Sequence, residues 1–299
     1  MTTNLADQTY WESGYVGMEF SPPAQDDFIR TWINAHVPRG TGDCLEVGCF
    51  PGRYLSVFGD LGYRLNGIDL ASRVDTHVPK WLADHGYAVG QFARADFLTF
   101  PFEPRFDVVS SFGFIEHFTD WYNVLARHAD LVRPGGYLVI EAPNMAGLMQ
   151  RFLRRLFDSA DLSRHYTPSM DPQGWAEVTT RLGFEIVEAG PISNFSFWRS
   201  SPIEQGIKSE LMVILDILQP ILETREETRG HAAAGYQGLI AKRVAEGPPA
   251  DDPSRIADLD AIGRAAVARD LDISQAAETM AERVEVWIKY MNNKWQSRL

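Results

Sequence analysis

"CLEVGCFPGRYLSVF", residues 44–58, runs apolar to Glu46, turns through Gly48 and Gly52, and then takes on a helical pattern. Strand, glycine turn and helix together form the unit from which parallel sheets are built, and ligands sit against such turns. A dinucleotide turn, G-x-G-x-x-G, needs a glycine at position 50, where the backbone must approach a pyrophosphate. Phe50 stands there instead, and Pro51 removes an amide donor. The turn suits a ligand without a diphosphate.

The same alternation continues outward from this stretch. "YRLNGIDL" reads as a second strand, "DTHVPKWLADHG" as a short helix, "YAVGQFARAD" as a third strand and "FDVVSSFG" as a fourth. "DWYNVLARHADLVRPGG" reads as a helix stopped by Pro134 and two glycines, followed by "YLVIEAPN" as the fifth strand. "DPQGWAEVTTRLGF" is a helix ending at Gly183, and "FEIVEAG" is the sixth strand. Short apolar strands alternating with helices imply a parallel sheet covered on both faces, a doubly wound α/β fold.

Two helical additions follow. "SSPIEQGIKSELMVILDILQPILE" predicts a helix capped by Ser201, with Pro202 in its first position and Glu204 completing a capping box. Its apolar stripe is Ile207, Leu211, Ile214, Leu218 and Ile221. A further strand, "HAAAGYQGLIAKRV", precedes the linker "EGPPADDPS", and residues 255–297 are helical. Asp272 and Gln275 are expected to cap a helix there, with Met280, Val284, Trp287 and Met291 on one apolar face. The chain divides into an N-terminal aromatic segment (1–39), a main domain (40–245, with an insertion at about 196–230) and a helical extension (246–299).

The 299 residues are 45% hydrophobic and 23% charged, with a net charge of −12. That balance disfavours a nucleic acid partner. "RFLRRLF" offers a local basic patch with Arg151, Arg154 and Arg155, more simply read as a solvated helix face. The two cysteines, Cys44 and Cys49, make neither a disulfide framework nor a zinc cluster; they read as buried reduced thiols of a cytoplasmic protein. The N-terminus lacks a signal-peptide pattern, and "LMVILDILQPIL" is too short and polar to span a bilayer, so no membrane insertion is expected.

Three acids end successive strands: Glu46, Asp69 and Asp96. An acid that faces a positive tail, one that holds ribose hydroxyls and one that accepts from an adenine amine together describe S-adenosylmethionine. "LEVGCFPGRY", "GIDL", "ARADF", "FDVVSSFGFIEHF" and "LVRPGGYLVIEAPN" resemble, in order, the motifs of class I S-adenosylmethionine-dependent methyltransferases. The resemblance covers about residues 40–190 and resumes at "GYQGLIAKR". It implies a seven-stranded Rossmann-like sheet with an antiparallel last strand beside "FEIVEAG". It also implies that Glu46, Gly48 and Gly52 line the methionine side, with Cys49 and Phe50 in the same turn. Asp69 with Leu70 would hold the ribose, Asp96 with Phe97 the adenine, and Ser111, Phe112 and Gly113 would lie beside the sulfonium.

The transfer is an in-line displacement from an activated sulfonium and requires no metal. A hydroxyl acceptor needs a base, for which His117 and His165 are the candidates, with Tyr166 beside the acceptor. Tyr10, Trp11 and Tyr15 in "TYWESGYVGMEF" are expected as a lid and acceptor contacts. "SSFGFIEHF" lacks the Asn/Asp-Pro-Pro-Tyr motif of nucleobase and glutamine methyltransferases, which leaves a small-molecule acceptor. The glycine turn and added helices look similar to methyltransferases of bacterial surface-glycan and secondary-metabolite pathways. A non-catalytic cofactor-binding subunit and a nicotinamide-dependent oxidoreductase remain as alternatives, and the helical additions leave a homodimer open.

Overall fold

The computed structural model describes residues 4–5, 8–14, 17–102, 105–200, 202–203 and 206–296. Helices α1 (Gln8–Gly14) and α2 (Phe28–His36) precede the sheet. Asp27 caps α2, its Oδ1 accepting from the amides of Ile29 (3.0 Å) and Arg30 (3.1 Å). The winding then begins with β1 (Asp43–Val47), α3 (Leu55–Asp60), β2 (Arg64–Asp69), α4 (His77–Asp84), β3 (Val89–Arg94) and β4 (Phe106–Phe112). A 3-10 turn, Ile115–His117, leads into α5 (Trp121–Asp130) and β5 (Val132–Pro143). Helices α6 (Leu148–Phe157), α7 (Ser159–Leu162) and α8 (Pro172–Arg181) precede β6 (Phe184–Pro191). The chain ends with α9 (Ile207–Leu222), β7 (Tyr236–Arg243) and α10 (Pro253–Gln296).

The strands form one seven-stranded sheet in the order β3-β2-β1-β4-β5-β7-β6. The first five are parallel, and β7 runs antiparallel between β5 and β6, as expected. Alternation along the strands feeds two cores. Cys44 and Val139 face a layer with Trp32, Leu55, Phe58 and Trp81, whereas Leu45, Leu138 and Ile140 face Trp121, Leu125, Trp175 and Leu259. Both cysteines are buried and free. No helix among the described residues is long and apolar enough to cross a membrane.

Several expectations are corrected. The helix before β5 stops at Asp130, and Arg133–Gly136 belong to the strand. Those residues form a bulge: Phe106 pairs with Val132 but Val108 with Tyr137, and Gly135 takes φ +80°. The insertion helix starts at Ile207, with Pro202 and Ile203 outside it; Ser201 and Glu204 lie outside the described residues. There the Gly206 amide donates to Ser209 Oγ (3.1 Å). The tail has no cap at Asp272, because α10 is one helix of 44 residues.

Its buried face is Leu259, Ile262, Ala266, Ala277, Ala281 and Ile288, while Met280 and Trp287 stay exposed. Small alanines let α10 approach closely, so the larger residues of the expected stripe are left at the margin. Of the arginines of α6, Arg151 and Arg154 are buried rather than on a solvated face, and Arg155 is exposed. Arg151 pairs with Asp270, Arg154 with Asp161 and Arg155 with Glu278.

Candidate active site

A cavity of about 600 Å³ opens beyond the carboxyl ends of the parallel strands. Of the expected cofactor residues, Gly48, Phe50, Asp69, Leu70, Asp96, Phe97 and Phe112 line it, together with Gly113. The glycine turn is laced to β2: the amides of Gly48 and Cys49 both donate to the Ile68 carbonyl, at 2.9 and 3.3 Å. Gly48 adopts φ +67°, and a Cβ there would lie 2.6 Å from the Phe114 ring. Only glycine meets both conditions. Asp69 braces the turn from the next strand. Its Oδ2 accepts from the Phe50 amide (3.0 Å) and its Oδ1 from the Ala71 amide (2.7 Å). Burial raises its pKa, which these amides partly counter.

Glu46, Cys49, Gly52 and Ser111 do not line the cavity. Glu46 is buried, accepts from the Leu55 amide at the start of α3, and leaves Oε2 without a partner. Burial, then the charge of Asp69, raises its pKa well above the usual carboxylate range. Cys49 turns inward, where its Sγ occupies the space a Cβ on Gly67 would need. Gly52 (φ +82°) closes against Val78 of α4, and Ser111 is fully buried beside the lining Phe112. Strand alternation explains Ser111: neighbouring residues face opposite sides, so Ser111 and Phe112 cannot share a wall.

The other end of the cavity is built from segments distant in sequence. Glu116 and His117 come from the 3-10 turn and His165 from the loop after α7. His117 Nδ1 meets the Arg164 carbonyl at 3.0 Å, and His165 Nδ1 meets the Asp161 carbonyl at 2.7 Å. Their rings lie 4.8 Å apart. Burial lowers both pKa values to about 4, His165 contributing to the shift at His117. Burial pushes Glu116 up to about 8, and burial with the nearby Glu116 raises Glu141 at the end of β5.

Behind His165, Arg154 Nη1 donates to Asp161 Oδ2 (2.8 Å), and its guanidinium stacks 3.9 Å from the Trp198 ring centroid. Trp198 lines the cavity with Tyr236 and Tyr54. Tyr166 does not: its amide donates to the Glu116 carbonyl (2.7 Å) and its ring packs on the core beneath the sheet. Glu116, Glu141, Trp198 and Tyr236 are site residues the sequence reading passed over. Glu116 stood in the quoted "FIEHF", and Glu141 ends a strand as Glu46 and Asp69 do.

At the mouth, Trp11 of α1 lines the cavity with its ring 5.1 Å from that of His117. Helix α1 is pinned by Glu12, whose Oε1 accepts from the Ser72 amide (2.7 Å), and the segment before it by the Leu5 amide on the His117 carbonyl (2.9 Å). Tyr15 and the side chain of Tyr10 lie outside the described residues.

Strand order, glycine turn and strand-end acids define a Rossmann-like class I methyltransferase that uses S-adenosylmethionine. The model of the methyltransferase-domain family matches residues 24–189, and the chain belongs to that family. It is 30% identical over 179 residues to a ubiquinone biosynthesis O-methyltransferase of Burkholderia thailandensis, covering 57% of this chain and 76% of the relative. To the Thiobacillus denitrificans protein of the same name it is 28% identical over the same shares. Among solved structures, the MccD protein superposes with a TM-score of 0.50 at 14% identity, covering 75% of this chain and 99% of MccD, a likeness of fold alone.

Proposed function

We propose that the chain moves a methyl group from S-adenosylmethionine to a hydroxyl oxygen of a small, ring-bearing molecule. The carrying observation is the acidic lining of the cavity, where a cationic donor would favour ionisation of the carboxyls whose pKa burial raises. Asp69, Asp96, Glu116, Glu141 and Asp161 line it, and none of the described lining residues is Lys or Arg. Such a site favours the sulfonium and ammonium of the donor and repels a dinucleotide diphosphate. Aromatic walls from Trp11, Tyr54, Trp198 and Tyr236 suit a ring. Oxygen as acceptor is supported by the O-methyltransferases that the chain is similar to.

In the transfer a lone pair of the acceptor oxygen forms the O–C bond while the S–C bond breaks, its electron pair remaining on sulfur. The hydroxyl proton leaves at the end of the cavity where His117 and His165 lie, and α1 serves as the lid. Positioning and exclusion of water supply most of the rate. Calorimetric titration with S-adenosylmethionine and NADH, followed by a turnover assay on phenols, sugars and amines, tests this reading. Binding of NADH alone, donor binding without turnover, or transfer only to amines each overturns it.

The buried reduced thiols support a cytoplasmic setting. Self-association rests on α9, where Val213, Ile214, Ile217, Leu218 and Ile221 are exposed, with Trp287 of α10 also bare. Charged residues at Ile217 and Trp287 should then yield a monomer; a wild type that sediments as a monomer ends this part.

A further inference from the structure

Glu116, His117 and His165 each bring one ligand atom to a common point at the acceptor end, all within 4.8 Å of one another. Both imidazoles use Nδ1 against a backbone carbonyl, which can only accept. Nδ1 therefore carries the hydrogen, and each Nε2 presents a bare lone pair. Glu116 is 1% exposed, and its Oε2 has no hydrogen-bond partner. A shared proton does not resolve this: Glu116 Oε1 and His117 Nε2 are 3.9 Å apart, too far for a hydrogen bond. Three groups able to ligate converge here, in a cavity whose described lining has no cationic side chain.

We propose that this cluster binds a divalent first-row transition ion through Glu116, His117 Nε2 and His165 Nε2, with its remaining positions open to the acceptor. Two imidazoles and a carboxylate form a ligand set suited to zinc, iron, manganese or cobalt rather than calcium. The carbonyls of Arg164 and Asp161 orient the rings as metal-bound histidines require. An ion at about 2.1 Å from each ligand holds them about 3–4 Å apart, so the cluster contracts by roughly an ångström on loading.

The inference deepens the proposed oxygen methylation and rests on it for the ion's role. An ion ligated by the acceptor oxygen lowers the hydroxyl's own pKa, so the two imidazoles serve as ligands rather than as the base. The proton then leaves to water, and the oxygen lone pair attacks the methyl carbon as the S–C electron pair returns to sulfur.

The test uses the untagged full chain, stripped with EDTA and titrated with Co²⁺ while the visible d–d bands are followed. One equivalent should bind, and E116Q and H165A should each weaken binding by at least about 100-fold while S-adenosylmethionine affinity by calorimetry stays as in the wild type. No Co²⁺ bands in the wild type, or undiminished binding in both variants, overturns the site. Metal binding without donor binding would instead sink the methyltransferase reading and leave the metal site standing.

Discussion

The two ends of the cavity are held by different means. At the donor end each wall is a turn that directly follows a strand: Gly48–Phe50 after β1, Asp69–Leu70 in and after β2, Phe112–Gly113 in and after β4. Their positions are inherited from the ladders of the sheet and from amides such as those of Phe50 and Ala71 on Asp69. At the acceptor end, His117, His165, Trp198 and Tyr236 come from four separate segments. His165 and Trp198 rest on a buried charge cluster in which Arg154 joins Asp158 and Asp161, while Tyr236 begins β7 and His117 is tied to the Arg164 carbonyl. One end is rigid because of the sheet's backbone, the other because of side chains. The acceptor end can therefore change without disturbing the donor end.

The largest expected effect strikes that buttress. Asp158 and Asp161 have side chains 0% and 1% exposed, and the Arg154 guanidinium lies between them. Arg154→Met removes the buried cation between them, leaving Asp161 with Arg164 and Asp158 with Ser200, and should cost about 3 kcal/mol in urea denaturation. Adding Asp161→Asn should recover part of it. A loss under about 1 kcal/mol would mean that the acceptor end is not held by charge.

His165→Ala separates the ends by function. Turnover should fall about 100-fold or more, while the donor Kd stays within about twofold, since His165 lies among the acceptor-side residues. Donor affinity falling in step with turnover would erase the distinction between the ends.

That distinction also explains what the sequence makes legible. The donor end is written in short windows, strand then turn, so the glycine turn, Asp69, Asp96 and Phe112 are readable in place. The strand order follows from the same alternation. Glu46, Cys49 and Ser111 sit in those windows too, but the side on which a residue emerges decides whether it lines the cavity. The acceptor end needs contacts between distant segments. Tyr166 neighbours His165 in sequence yet packs into the core, while Trp198 and Tyr236 reach the cavity from beyond β6. In α10 the apolar stripe was visible, but its buried side is set by Ala277 and Ala281, whose smallness registers only against α6.

The rigidity of the donor end can be probed by pH at His128. It is fully buried, packs 4.5 Å from the Phe97 ring, and gives Nδ1 to the Val124 carbonyl at 2.7 Å. Burial lowers its pKa from 6.5 to about 4. The unfolded chain takes up this proton near the upper value and the folded chain only near the lower. Its contribution to stability is thus full above the upper value and is lost as the pH falls toward the lower. Relative to His128→Gln, the wild type should lose about 2.5 kcal/mol between pH 7 and pH 4.5. The difference between the two proteins is the quantity to measure, because Glu116 and Glu141 shift the absolute curve in the opposite sense. Parallel curves would show that His128 is solvated and that the wall behind Phe97 yields.

The smallest effect tests the donor end directly. Asp69 braces the glycine turn through the Phe50 and Ala71 amides and still lines the cavity, and we propose that its carboxylate also meets the ribose. Asp69→Ala should weaken S-adenosylmethionine binding by about 2 kcal/mol, roughly thirtyfold in Kd, as charge-assisted bonds to ribose hydroxyls go. Asp69→Asn sharpens the result. Its side chain keeps one acceptor oxygen for the Phe50 amide, while the NH₂ that replaces the other oxygen faces the Ala71 amide as a donor. If bracing dominates, the asparagine variant should lie nearer the wild type than the alanine variant in thermal stability, with similar losses of affinity in both. If ribose contact dominates, stability should be almost unmoved and affinity should fall in both. Unchanged affinity in a folded Asp69→Ala protein would remove Asp69 from the donor end, and with it the claim that the sheet alone sets that half of the site.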